Sequence, residues 1–271
     1  MPELPEVETT RAGVEPHTRG RLIKAVTVRN ASLRQPVPDD LGTRLCGQRV
    51  TAVARRAKYL LFELGEGVLL VHLGMSGSLR MVAAGTPAAS HDHVDIAFDN
   101  GLIMRYRDPR RFGLVLWLQA PAAVHPLLAH LGPEPLSTAF TADHLYALSR
   151  GRKAAVKNFL MDGRIVVGVG NIYANEALYR VGIRPTRAAG RVSQARYQGL
   201  VEAVQCVLRE AIVQGGTTLR DFVGSEGKPG YFRQQLQVYG RAGLPCAACG
   251  HTLQELRLGQ RSSVFCPSCQ R

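Results

Sequence analysis

No apolar run in this 271-residue chain approaches the ~20 residues that a membrane-crossing helix needs. A secretory leader is missing as well, because Glu3, Glu6 and Glu8 stand where such a leader would tolerate no acid. The expectation is a cytoplasmic protein with no membrane partner. Acidic side chains are scarce: 21 Asp and Glu face 34 Lys and Arg, a formal charge of +13. That imbalance, with a pI near 10.0, draws polyanions, and nucleic acid is the commonest of these. Cysteine is sparse too, six in all, which excludes a disulfide-built scaffold in a cytosolic chain of this size. What is present is an ordinary 45% of hydrophobic residues, enough for real cores and comfortable for two domains.

Periodicity divides the chain. Residues 5–19 predict a helix: Pro5 suits the first turn, Glu6 and Glu8 the positive end, and Gly20 the stop. From 21 to 118 the text turns to short β-rich runs at 22–28, 50–54, 59–64, 68–73, 94–98, 102–106 and 114–118. Asp99-Asn100-Gly101 is a hairpin signal among them. This pattern predicts a β-sandwich or flattened barrel. Pro121, Pro126, Pro133 and Pro135 then mark a linker over 120–137. Helical spacing follows at 141–148, 154–161 and 172–181. It is clearest at 197–213, where Tyr197, Leu200, Val201, Val204, Val207, Leu208, Ala211 and Ile212 form one stripe before Gly215-Gly216. The expected fold class is α+β multidomain: a β-sandwich domain over 1–132, a helical domain over 133–230 and a cysteine module over 231–271.

Four cysteines carry that module. Cys246, Cys249, Cys266 and Cys269 form two Cys-x-x-Cys pairs sixteen residues apart. The spacing lets two knuckles present four thiolates to one tetrahedral Zn²⁺, with iron as the minor alternative. Four protein ligands leave no open position for a catalytic water, so the metal is read as structural. Between the pairs, residues 255–265 predict a hairpin turning near Gly259-Gln260, with Arg261 at or beside the tip. A guanidinium held there can grip a phosphate, although a lone arginine is more often solvated surface. Cys46 and Cys206 stand apart and read as buried thiols without a role.

The opening Met-Pro-Glu-Leu-Pro-Glu-Val-Glu is unusual. Removal of Met1 would expose the secondary amine of Pro2. An α-amino group has a pKa of roughly 8, so a useful fraction is neutral near pH 7. Such an amine can attack a sugar C1′ to give an iminium, and Glu3 beside it can move protons. Read alone, these residues fit an ordinary processed terminus better.

The rest of the chain bears on that choice. The start, with HLGMSG (72–77), DPRRFG (108–113), VGVGNIYANE (167–176), GGTTLRDF (215–222), GKPGYF (227–232) and the cysteine module, resembles the bacterial formamidopyrimidine-DNA glycosylases in order from residue 2 to 269. The resemblance implies an N-terminal β-sandwich flanked by helices, then a helix–two-turn–helix domain with a β-hairpin zinc finger. It implies a monomeric enzyme that excises oxidised purines (8-oxoguanine, formamidopyrimidines) from double-stranded DNA and cleaves the strand by β,δ-elimination. Because a stacked base is unreachable, the nucleotide must be flipped out.

Residue roles follow from the same resemblance. Pro2 is the nucleophile, Glu3 the acid/base, Glu6 a supporting carboxylate, and Lys58 a lysine near the lesion and its phosphate. Met75, Arg110 and Phe112 plug the hole left by flipping; core packing is the competing reading for Met75 and Phe112, but their glycine-bounded loops favour exposure. Asn171, a helix N-cap on the plain reading, joins Arg261 as a phosphate clamp. His72, Lys157 and Tyr239 are further DNA-contact candidates. Residues 217–230 would cap the flipped base. Three rivals remain: the sister branch that removes oxidised pyrimidines, disfavoured by Leu4 and the intact DPRRFG loop; a non-catalytic DNA-binding protein, disfavoured by Pro2, Glu3 and Lys58; and an RNA-binding zinc ribbon, which leaves the N-terminal motif unexplained.

Overall fold

The computed structural model describes residues 2–119, 121–217 and 235–271. The described residues of 1–129 and 214–231 form one compact unit, and those of 130–213 and 232–271 form another.

The first unit opens with helix α1, Leu4–Thr18. Glu3 is its N-cap, and a reciprocal capping box joins Glu3 to Glu6, with a proline in the first turn. Eight strands follow: β1 (Ile23–Val28), β2 (Ala52–Arg56), β3 (Tyr59–Glu63), β4 (Gly67–His72), β5 (Ser78–Ala83), β6 (Asp92–Phe98), β7 (Leu102–Arg107) and β8 (Leu114–Gln119). Short helices α2 (Leu41–Leu45) and α3 (Pro126–Ala129) complete the unit. The strands make two four-stranded antiparallel sheets, ordered β1-β6-β7-β5 and β2-β3-β4-β8. Inward side chains of both sheets, among them Leu60, Phe62, Ile96, Met104 and Val115, share one core with Val7 and Val14 of α1. That shared core makes the unit a β-sandwich with a helix packed on it.

Two differences from the sequence pattern have physical causes. Strand β5 was not expected, because Arg80 interrupts its apolar run; pairing with β7 from Ser78↔Arg107 to Ala83↔Leu102 holds it. The stretch read as a linker carries a 3₁₀ turn at Ala122–Val124 and then α3.

The second unit holds α4 (Ala142–Ser149), α5 (Val156–Leu160), α6 (Asn171–Arg180), α7 (Gln194–Val213) and the hairpin strands β9 (Gln254–Leu258) and β10 (Arg261–Phe265). Thr141 caps α4, its hydroxyl accepting the His144 N–H at 3.1 Å. Helices α4 and α6 both pack on α7, whose buried Tyr197 lies 6.3 Å ring to ring from Phe159. Cys46 and Cys206 are both exposed, contrary to the buried reading. Cys46 is the C-cap of α2, and Cys206 lies on the polar face of α7 beside Arg180 and Glu210. No described helix is long and apolar enough to cross a membrane.

Candidate active site

In the first unit the N-terminus does not fray. Pro2 is buried, Glu3 is 4% exposed and Glu6 is fully buried. The Glu6 carboxylate accepts the Glu3 N–H at 2.8 Å through Oε2 and the Thr217 N–H at 2.8 Å through Oε1. One side chain thus ties the chain start to a segment over two hundred residues away. Gly216 makes this approach feasible: its φ is +81°, and a Cβ there would stand 3.1 Å from the Glu6 side chain. The expected capping segment beyond Thr217 lies outside the described residues.

Lys58 sits in the two-residue turn between β2 and β3, after Ala57 at φ 55°. It is half-buried, and its charge reaches His72, whose imidazole is pulled down to about 4 by burial and by the nearby cations Lys58 and Arg34. His72 is therefore neutral at physiological pH. Its Nδ1 accepts the Gly74 N–H at 3.1 Å, leaving Nε2–H as a donor.

His72 also lines an open pocket of about 290 Å³ with Arg34, Gly74, Met75 and Phe112. Met75 and Phe112 are exposed, at 38% and 45%, so both stand outside the sandwich core. The Arg110 guanidinium lies over the Phe112 ring, 4.9 Å from its centroid. Beneath these loops is a residue the sequence reading missed, Asp108, which is completely buried. Its Oδ1 accepts from Ser76 Oγ (2.7 Å) and the Arg110 N–H (3.3 Å), and its Oδ2 from Tyr106 Oη (3.1 Å) and the Gly113 N–H (2.9 Å). Only the proximity of Asp108 to a turn-forming Pro-Arg-Arg-Phe-Gly was visible beforehand.

The second unit gathers the other candidates. Asn171 is the first residue of α6; its cap is Gly170, which corrects the N-cap reading. The buried Asn171 Oδ1 has no hydrogen-bond partner among the described residues. One turn on, Asn175 donates to the Asn171 carbonyl (2.6 Å) and accepts the Val264 N–H (3.1 Å). Next to it, buried Glu176 accepts the N–H groups of Gln237, Val238 and Tyr239 at 2.8–3.0 Å, which places the half-buried Tyr239. Neither Asn175 nor Glu176 was singled out from sequence, and their pairing distances of 61 to 89 residues explain why.

Arg261 is exposed at the start of β10, opposite Leu258, across a turn in which Gly259 and Gln260 both have positive φ. The predicted tip geometry is thus present. Lys157 requires a correction. It was expected to contact DNA, yet it is fully buried, and its ammonium donates to the Ser262 carbonyl and Ser263 Oγ, both at 2.6 Å. It anchors the strand that carries Arg261.

The four module cysteines bring their sulfur atoms within 4.8 Å of one another. Cys249–Cys266 and Cys246–Cys269 are 3.4 and 4.0 Å apart. These spacings exceed a disulfide's ~2.05 Å and bracket the ~3.8 Å edge of a ZnS₄ tetrahedron. The backbone at His251 holds the Cys249 thiol down to about 6, while hydrogen bonds with Cys249 and Cys266 push Cys269 up to about 12. One thiolate thus opposes the next, and a dication removes that opposition. The module accordingly holds one structural Zn²⁺. Tyr179 of α6 meets Cys246 Sγ at 3.1 Å.

Comparison with known proteins agrees with this architecture. Residues 1–115 match the formamidopyrimidine-DNA glycosylase N-terminal domain. Residues 131–223 match its H2TH domain, and 243–271 a zinc finger found in FPG and IleRS. The chain is 61% identical to a formamidopyrimidine-DNA glycosylase of Stutzerimonas stutzeri and 62% to that of Hahella chejuensis, in each case over 100% of both chains. Among solved structures, the Thermus thermophilus MutM (FPG) protein is 37% identical with a TM-score of 0.89, covering 99% of this chain and 98% of that one. A Lactococcus lactis Fpg complexed with abasic-site DNA is 30% identical with a TM-score of 0.91, covering 99% of both. With the anchored N-terminus, the sandwich and the four-cysteine module all in place over its whole length, the chain belongs to the formamidopyrimidine-DNA glycosylase family.

Proposed function

We propose that Pro2 is the nucleophile of a base-excision DNA glycosylase that removes oxidised purines from duplex DNA and then cleaves the strand. The observation that carries this reading is the buried chain start. Terminal residues ordinarily fray, whereas here Glu6 is fully buried and bonds both the Glu3 and Thr217 main chains. Such a fixed amine gains the orientational advantage that nucleophilic catalysis needs.

After Met1 is removed, the Pro2 nitrogen attacks C1′ of the flipped nucleotide as the bond from C1′ to the base breaks and the base departs with its electron pair. Glu3, 4% exposed next to the amine, handles the protons that ring opening to the iminium requires. The iminium then acts as an electron sink for successive β- and δ-eliminations at the flanking phosphates. Lys58 and the neutral Nε2–H of His72 face the lesion phosphate; Asn171, Tyr239 and Arg261 clamp the backbone. Met75, Arg110 and Phe112 fill the vacated stack, with Arg110 bonding the orphaned cytosine. The protein acts as a monomer in the cytoplasm, and residues 1–132, 133–230 and 231–271 are its catalytic, helix–two-turn–helix and zinc-finger domains.

Borohydride reduction tests this reading. Mature protein should form a covalent adduct with 8-oxoguanine duplex, and protein retaining Met1 should bind the same duplex without forming one. An adduct in both samples sinks the Pro2 assignment. Faster release of thymine glycol than of 8-oxoguanine would move the protein to the pyrimidine branch.

A further inference from the structure

We infer that Asp108 is a positioning residue that sets the working geometry of Met75, Arg110 and Phe112, holding both plug-bearing loops through one carboxylate. The inference rests on the reading that these three side chains fill the stack.

The donors to Asp108 are distributed in a telling way. Ser76 follows Met75 directly. The Arg110 N–H is that of a plug residue itself, and the Gly113 N–H follows Phe112. Each plug residue is thus at, or one residue from, a group bonded to the same two oxygen atoms. The fourth donor, Tyr106 Oη, comes from the end of β7, which is sandwich core. Burial and the adjacent carboxylate raise that hydroxyl far above its ordinary range, so it remains a donor. The loops therefore refer to the rigid sheet through Asp108.

The loops are also in direct backbone contact. Gly74 lies at φ +64°, and a Cβ there would collide with Phe112 and Gly113 backbone atoms. A Cβ on Gly113 would collide with the His72 carbonyl and Tyr106 Oη. Two segments packed this closely move as one block, and the block has Asp108 at its centre. His93 fixes Asp108 from behind, with Nε2 2.8 Å from its carbonyl oxygen.

A purely stabilising role fits poorly. Asp95, the buried carboxylate of the neighbouring strand, is paired with Arg29 and Arg105. Asp108 forms no ion pair within 4.0 Å among the described residues, and its four partners are neutral groups on the two loops and their supporting tyrosine. Burying a carboxylate without a cation is expensive, and an apolar side chain would fill the space more favourably if packing alone mattered.

The test is binding and trapping by Asp108→Asn and Ser76→Ala, beside Met75→Ala and Arg110→Ala, with urea midpoints as a folding check. Asn keeps the shape but offers only one acceptor oxygen. Asp108→Asn should weaken binding to 8-oxoguanine duplex about tenfold, and Ser76→Ala, which removes the hydroxyl that donates to Asp108 and accepts the Arg110 N–H but leaves the carboxylate its other three donors, about threefold. Borohydride trapping on a single-stranded abasic oligonucleotide has no stack to fill and should stay within about twofold. Met75→Ala combined with Asp108→Asn should bind the duplex little worse than the weaker single variant. Unaltered duplex binding by Asp108→Asn overturns the inference. So does equal loss on duplex and single strand by both Asp108→Asn and Ser76→Ala, which marks a general folding role. Should Asp108→Asn not fold, unaltered duplex binding by Ser76→Ala overturns it. If Met75→Ala and Arg110→Ala bind the duplex normally, the plug reading itself fails. Impaired Met75→Ala beside unimpaired Asp108→Asn removes only the role of Asp108.

Discussion

Replacing Lys157 by methionine separates two roles that a basic residue in a DNA-repair enzyme can have. The ammonium is fully buried and donates at 2.6 Å to the Ser262 carbonyl and to Ser263 Oγ, next to exposed Arg261. Methionine keeps the length and apolar stem but removes the donor. The Ser262 carbonyl and Ser263 hydroxyl are then left buried without it, at ~1–3 kcal/mol each. Relief of the buried charge and better packing of the thioether offset part of this. A net loss of about 2–4 kcal/mol is expected, equivalent to roughly 10 °C in Tm for a unit of this size.

If Lys157 instead contacted a phosphate, the effects would be reversed. Stability would hardly change, and the slope of log K against log salt would become shallower by about 0.9, the value of one phosphate contact. Urea unfolding followed by circular dichroism, with anisotropy titrations of lesion duplex at several salt concentrations, measures both quantities. The expected result is a lowered urea midpoint and a binding defect that vanishes in an Arg261→Ala background, because Lys157 acts through that arginine. An unchanged midpoint with a shallower salt slope that persists in the Arg261→Ala background would refute the anchoring role.

Three other perturbations have definite expected outcomes. Glu6→Gln turns one acceptor oxygen into an NH₂ facing either the Glu3 or the Thr217 N–H, so it should cost about 1–3 kcal/mol and slow single-turnover excision; an unchanged urea midpoint contradicts the tie. Chelation should release one equivalent of zinc, unmask Cys246, Cys249, Cys266 and Cys269 to a thiol reagent and unfold the module, whose own apolar core is small; equal thiol reactivity before and after chelation argues against the site. His72 titrates near 4 in the folded chain against an ordinary 6.5, so between these values the unfolded chain takes up a proton that the folded one refuses. Stability falls as pH drops through this window, by ~3 kcal/mol at 1.36 kcal/mol per pH unit and by ~1–2 kcal/mol once solvent at a half-buried ring is allowed for. His72→Asn should flatten that part of the stability–pH curve, and an unaltered curve would refute the depressed imidazole.

The sandwich strands were readable wherever apolar alternation and turn residues coincided, as at Asp99-Asn100-Gly101. Strand β5 was not, because its place depends on pairing with β7 rather than on its own pattern. The site divides in the same way. The cysteines are legible from their fixed spacing, whereas Pro2, Met75 and Phe112 take their proposed roles from the ordered motifs around them. Lys157 was placed among the DNA contacts by resemblance, and a lysine is ordinarily a surface group. Its partners lie 105 and 106 residues away, and no local periodicity reports such a pairing.

Four buried charges in the two units have one property in common. Glu6, Asp108, Lys157 and Glu176 are ionisable, at most 1% exposed, and each bonded to a main-chain or side-chain group at least 32 residues away. Hydrophobic burial favours compactness but is indifferent to where a loop's carbonyls and N–H groups point. A buried charge is not indifferent: left without its hydrogen bonds it costs several kcal/mol, so it selects the one loop conformation that satisfies it. Each of these four side chains holds a segment carrying a proposed functional residue: the chain start for Pro2, the two plug loops, the hairpin for Arg261 and residues 237–239 for Tyr239. The motifs therefore name the groups proposed to meet the DNA, and the buried charges beneath them determine where those groups stand.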